Sequence, residues 1–285
     1  ASCDFIDIHT GWDSPWFPQN KMQDQNSFKI HNKSMILDEQ LGMIGDILGK
    51  KLEIGKKPFT ISEWNHSFPN QYAYESPALL ASYAVRNNWD TLLQFSYNGD
   101  IKVSSENSSI KNHFDIVANS QKLILSMVGS LIFNAHKDVS LNIEKGTFQL
   151  LSQKIVGMAG SIKGNLLAEK NITIVSNQDG AIFLYSPQEE TINEANRLIL
   201  ITIGEIRNTN SYWDKDGVFH WGNMPILLKK IDADVSIATS KSFKVYALDE
   251  SGLRGKEIPI EYSEGKISFS TRNSHSPWFE IIADP

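Results

Sequence analysis

The stretch Thr60-Ile61-Ser62-Glu63-Trp64-Asn65-His66 puts a single carboxylate at the end of a short apolar run and follows it with an indole, an amide and an imidazole. If that run is a buried parallel strand, Glu63 stands at its carboxyl end and faces the loop mouth, where ligands gather in such sheets. The same glutamate would serve equally well to cap the next loop or to pair with an arginine, and spacing alone does not choose between these roles. Other chemistry is sparse. His31, His113, His136 and His275 are scattered without metal-ligand spacing. Cys3 is the one cysteine, which excludes an intrachain disulfide or a multi-cysteine metal site. No cofactor is expected.

The elements that would position Glu63 can be read on either side of it. Phe5-Ile6-Asp7-Ile8-His9 reads as a strand, stopped by Gly11-Trp12-Asp13-Ser14-Pro15. Residues 35–52 carry apolar side chains at a helical period, and Gly55 and Pro58 end that helix. Phe59–Trp64 is the next strand. Ser76 and Pro77 form a helix start, with Ser as cap and Pro in the first turn. Trp89–Tyr97 reads as a third strand and Val117–Phe133 as a third helix. Strands alternating with helices predict a parallel sheet with right-handed crossovers.

With these elements in place, Phe59-Thr60-Ile61-Ser62-Glu63-Trp64-Asn65 resembles the seventh strand of the retaining (β/α)8-barrel glycoside hydrolases, the clan that includes cellulases and β-galactosidases. Pro69-Asn70, Tyr74-Glu75-Ser76-Pro77, the run Leu79–Ala84, Trp89-Asp90 and Phe95-Ser96-Tyr97 are similar to the seventh helix and eighth strand of cellulase-like members. Asp4–His9 followed by Trp12-Asp13-Ser14-Pro15 resembles the sixth strand and its loop. The resemblance covers residues 4–135. It implies a partial TIM barrel made of the last three βα units, with Glu63 as the nucleophile that forms a covalent glycosyl-enzyme.

For substrate binding, His9, on the face of Glu63, reads equally as a hydrogen-bond partner of Glu63 or of a sugar hydroxyl and as a loop-packing histidine. Trp12, Trp16 and Trp64 are candidate stacking platforms, because a pyranose lays its C–H face on an aromatic ring, and at least one of the three is expected to be core only. Asn65 and His66 are placed to order the loop or bind hydroxyls, and Tyr97 to reach the sugar from its strand end. Glu75 precedes a helix and reads as structural. The mechanism needs a second carboxylic acid about 5 Å from the first, which in the family follows an Asn at the end of the fourth strand. Here only Glu39 and Glu53 precede Glu63, both on or just past a helical stretch, and the one Asn-Glu pair, Asn193-Glu194, lies beside a turn in the second half. The chain is therefore expected to be a fragment that lacks its acid/base and is inactive alone. Its N-terminus lacks a signal peptide and reads as a processed or cut end. Its expected partners are a carbohydrate substrate and either the missing N-terminal half of the barrel or a homo-oligomeric copy. Localisation is not fixed by the sequence; the parent enzyme is expected to be secreted, extracellular or periplasmic.

Beyond residue 138 the helical period disappears. Short strands recur between turn signals such as Asn177-Gln178-Asp179-Gly180 and Ser263-Glu264-Gly265, as in an antiparallel β-sandwich. The expected fold is α/β plus all-β, with residues 1–138 as the partial barrel and 139–285 as the sandwich. Aromatic loops at 208–213 and 220–222 are expected at the interface with the first half. Composition narrows the partners further. Lys plus Arg number 27 and acids 33, a formal charge of −6 without a basic run, which disfavours nucleic acid. No stretch approaches the ~18 apolar residues needed to cross a bilayer. The competing reading is a non-catalytic carbohydrate-binding or structural module.

Overall fold

The computed structural model describes residues 3–18, 24, 26–38, 42–99, 109–135, 139–169, 171–188 and 191–284. Two compact units emerge: Ala1–Phe133 with Glu205–Leu228, and Asn134–Gly204 with Lys229–Pro285. In the first unit, β1 (Ile6–Trp12), β2 (Phe59–His66) and β3 (Thr91–Gln94) pair in parallel in that order. Helices α1 (Gly42–Ile54), α2 (Ser76–Arg86) and α3 (Ser120–Asn134) follow the strands. The helix expected from Met35 is seen only from Gly42: residues 35–37 form a turn. Residues 39–41, with Glu39, and His136 lie outside the described residues.

The expected fold class is corrected. The chain is mainly β, with strands holding 43% of it and helices 15%, and there are three helices among the described residues. The alternation of strand and helix is confined to six elements and no barrel-like pattern is built from it, so the partial-barrel reading does not stand. The reason is physical. Helical periodicity identifies single helices well, but three of them beside three strands make only a small open sheet, and most of the chain pairs antiparallel.

The middle strand shows why the sheet has two unlike sides. Phe59 and Ile61 are fully buried, whereas Thr60, Ser62 and Glu63 are only partly covered. One side is therefore closed, with Lys51 of α1 5.4 Å over the Phe59 ring, and the other is polar and open. Gly129 of α3 lets that helix come close to the start of α2: a Cβ there would sit 3.1 Å from the carbonyl oxygen of Pro77.

A second core in the first unit is built by distant segments. Phe28, Phe68 and Ile110 from the loops join Ile206 and Phe219 from the segment 205–228, with Trp213 and Trp221 packed around them. Trp221 stacks on Phe68 at 5.8 Å. The aromatic loops at 208–213 and 220–222 thus belong to the core of the first unit. Asn208 fastens the segment. Its Oδ1 accepts the Ile110 N–H at 2.9 Å, and its Nδ2 donates to the Ile110 carbonyl at 2.7 Å and the Trp221 carbonyl at 2.8 Å.

The second unit is a two-sheet β structure. Strands Leu166–Glu169, Ile172–Ser176, Ala233–Ala238, Lys266–Ser270 and Glu261–Ser263 make a five-stranded antiparallel sheet. A larger sheet includes, in this unit, Ile155–Gly160, Gly180–Tyr185, residues 197–204 of the strand Arg197–Thr209, Trp278–Ala283 and Phe243–Leu248. Both contribute to one apolar core: Ile174, Val235 and Ile267 from the smaller sheet meet Met158, Leu200 and Phe279 from the larger. Alternation along the strands produces this, because every second residue points into the shared layer.

Replacing Asn208 by Ala removes all three of its hydrogen bonds and leaves buried backbone groups unsatisfied, so Asn208→Ala is expected to cost about 2–3 kcal/mol. Urea denaturation checks this: the midpoint falls at an unchanged m-value, and a midpoint within error of the wild type contradicts it.

Candidate functional site

Between its paired positions, strand β2 carries one residue more than the facing stretch of either neighbour. Ile8 of β1 is opposite Ile61, but the next residue, His9, is opposite Glu63. On the other side Ile61 is opposite Leu92, while Trp64 is opposite Gln94. Ser62 is therefore the extra residue of a β-bulge, and a bulge re-aims the side chains that follow it. Strict alternation would carry Glu63 to the side of Ile61, beneath the helices. With the bulge, Ser62 and Glu63 both stand on the open side.

There the Glu63 side chain is 43% exposed. Its carboxylate lies beside His9, whose Nδ1 is 3.4 Å from Glu63 Oε2. The other ring nitrogen of His9, Nε2, lies 3.5 Å from Asp7 Oδ2. Asp7 in turn accepts the hydroxyls of Ser62 and Thr60, each at 2.6 Å, and the Ser62 N–H at 3.0 Å. The Ser62 hydroxyl first, and then that of Thr60, hold the Asp7 carboxyl below the usual carboxylate range. One face of the small sheet thus carries a line of polar groups: Thr60 and Ser62 to Asp7, Asp7 to His9, His9 to Glu63.

The other expected binding residues divide sharply. Tyr97 follows β3, its carbonyl accepts the Val117 N–H at 3.0 Å, and its side is 67% exposed. Trp16 is also exposed, with Lys29 Nζ 5.6 Å over its ring. Trp12, Trp64, Asn65 and His66 are all buried. Trp12 donates its indole N–H to the Lys33 carbonyl at 2.9 Å. Asn65 donates through Nδ2 to the carbonyls of Phe95 and, at 2.7 Å, Phe114, so it ties the loop after β3 to the end of β2. Burial first, and then the nearby Lys122 cation, pull the His66 pKa down to about 3, which keeps that ring neutral. These four side chains lie in the interior, and Asn65 takes the loop-ordering alternative of its two expected roles. A strand end presents its side chains to a ligand only where the following loop stays clear, and here the loops fold over residues 64–70.

Three residues without a predicted role complete the arrangement: Asp7, Thr60 and Ser62. Their only signal in the sequence is an acid inside a strand, opposite a strand carrying hydroxyls at every second position. Asp13 is another. Its buried carboxylate accepts the N–H groups of His31 and Asn32, both at 2.7 Å, and the Asn70 amide at 2.8 Å, which fixes the loop after β1. Lys122, at the start of α3, is buried and donates to the His113 carbonyl at 2.9 Å; burial brings its pKa down to about 7 against the pull of Asp115. A cavity of about 710 Å³ is lined by second-unit residues including Glu169, Ile172 and Asn193, so it does not contain Glu63. No group of three potential metal ligands occurs among the described residues. No family model matches the sequence, and no curated protein matches it.

Glu75 has the structural role expected of it. Its buried carboxylate accepts the Ser34 hydroxyl at 2.8 Å and the N–H groups of Met35 at 2.8 Å and Ile36 at 3.1 Å. Burial nonetheless pushes its pKa from 4.5 up to about 7. A raised folded-state value means that folding takes up a proton between these two pH values. The stability this group adds is complete below about pH 4.5 and is lost as pH rises through about 7. The stability difference between the wild type and Glu75→Gln should therefore fall on the order of 3 kcal/mol across that window. Denaturant midpoints of the two proteins across the window read this directly, and a flat difference rejects it.

Proposed function

We propose that this chain supplies the nucleophile half of a retaining O-glycoside hydrolase site acting on an oligo- or polysaccharide. The observation that carries the reading is the placement of Glu63: a half-exposed carboxylate in the C-terminal half of the middle parallel strand, turned to the open side by an inserted residue, with the His9 imidazole 3.4 Å away. In this reading a Glu63 carboxylate oxygen attacks the anomeric carbon, the bond from that carbon to the leaving oxygen breaks, and the leaving oxygen takes a proton from a separate acid. Water then cleaves the resulting ester, which releases the sugar and restores the carboxylate.

Asp7 is a poor candidate for that acid. A general acid needs a proton at working pH, and the hydroxyls around Asp7 favour its charged form. The acid is therefore assigned to a polypeptide outside the described residues, brought against the open sheet face by another segment or a second copy. Tyr97 and Trp16 are exposed aromatic surfaces available for stacking, and His9 is a polar contact of the reacting carboxylate.

The test uses a sugar whose leaving group needs no acid. A panel of 2-deoxy-2-fluoro glycosyl fluorides differing in sugar configuration releases fluoride unassisted, and the fluorine on the ring slows the second step so that the ester accumulates. The expected outcome is a mass increase of one fluorosugar, mapped to the Glu63 peptide and absent from Glu63→Gln. Absence of an ester at Glu63 with every probe, or equal labelling of the Gln variant, sinks the reading.

A further inference from the structure

The bulge at Ser62 raises its own question: what keeps an extra residue in a central strand? An inserted residue loses its place in the hydrogen-bond ladder, and its N–H needs another acceptor. Asp7 provides that acceptor. Its Oδ1 takes the Ser62 N–H at 3.0 Å and its Oδ2 takes the Ser62 hydroxyl at 2.6 Å, so both polar groups of the inserted residue end on one carboxylate. The Thr60 hydroxyl, at 2.6 Å on Oδ1, fixes that carboxylate from the residue directly opposite Asp7 in register. Acids are depleted inside strands. This one is placed where the strand beside it departs from regular pairing.

Asp7 also approaches Glu63 by a second route. Its Oδ2 lies 3.5 Å from His9 Nε2, and Nδ1 of the same ring lies 3.4 Å from Glu63 Oε2. The backbone on one side and an imidazole on the other connect the same two carboxylates. We propose that Asp7 is the positioning residue for Glu63, holding the inserted Ser62 that turns Glu63 to the open face and orienting the His9 ring that meets it. The role of Glu63 as nucleophile rests on the function proposed above; its placement by Asp7 does not.

Two measurements test this on the full chain. Crystal structures of the wild type and Asp7→Ala decide the placement. The expected result is that β2 slips toward regular pairing in the variant and Glu63 leaves His9, whereas Asp7→Asn, which keeps an acceptor for the Ser62 N–H, retains the bulge. An Asp7→Ala structure with His9 still opposite Glu63 and the contact intact overturns the proposal. If Asp7→Ala does not fold, Ser62→Ala takes its place: it removes only the hydroxyl bond and should displace Glu63 less but in the same sense, and an unmoved Glu63 counts against the proposal equally.

The second measurement is the rate of ester formation at Glu63 with the fluoroglycoside that labels the wild type. A displacement on the order of 1 Å should slow the limiting rate about 10²-fold in Asp7→Ala, with the half-saturating probe concentration unchanged and Asp7→Asn recovering most of the rate. A role in general stability alone would instead lower the melting temperature and leave the limiting rate of the folded fraction as in the wild type, which would overturn the proposal. If the wild type takes no label, the nucleophile reading fails, while the crystallographic comparison still decides whether Asp7 places Glu63.

Discussion

A middle strand that carries one extra residue within its pairing to both neighbours cannot satisfy two regular ladders at once. In this protein the mismatch is concentrated at Ser62 and absorbed by a carboxylate on the adjacent strand. The open face depends on that arrangement. It sets which side of the sheet Glu63 occupies, brings His9 opposite it, and leaves apolar Phe59 and Ile61 under the helices. The chemistry available to the face follows from the same interaction, since Asp7 is committed to hydroxyl and amide donors and Glu63 is left with an imidazole.

Behind that face the loops form a dense polar interior. Asn65 and Asn70 bind backbone carbonyls, Asp13 and Glu75 gather backbone amides, and Lys122 reaches the His113 carbonyl. Each of these groups is buried or nearly so, and all but the Lys122 contact link segments far apart in sequence. The loops after β1, β2 and β3 are thus held by side chains that a loop would ordinarily offer to solvent. A rigid rim follows from this, and with it a fixed setting for Tyr97, whose backbone is tied to Val117.

Much of the local structure was legible in the sequence. The apolar runs at Phe5–His9 and Phe59–Trp64 mark β1 and β2, Ser76-Pro77 marks the start of α2, and the recurrent turns after residue 138 mark antiparallel strands. Global organisation was less so. Three alternations of strand and helix look alike whether they belong to a large closed sheet or a small open one, and the β-rich remainder outweighs them. At the site, Glu63 and His9 could be read because both end apolar runs. The burial of Trp12, Trp64, Asn65 and His66 could not, because it depends on which loop covers them. The inserted Ser62 was invisible for a related reason: a bulge is a relation between neighbouring strands, and no single strand's sequence carries it.

The segment 205–228 has a consequence for how the molecule is made. The core around Phe28 and Phe68 is closed by Ile206 and Phe219, and the Asn208 clasp on Ile110 spans 98 positions of chain. A nascent polypeptide that has emerged only as far as residue 133 still has those aromatic rings uncovered, so the amino-terminal unit cannot finish maturing before most of the following strands have been synthesised. Such long-distance closure slows assembly and prolongs the exposure of apolar surface. The order of translation and the order of completion therefore differ in this chain.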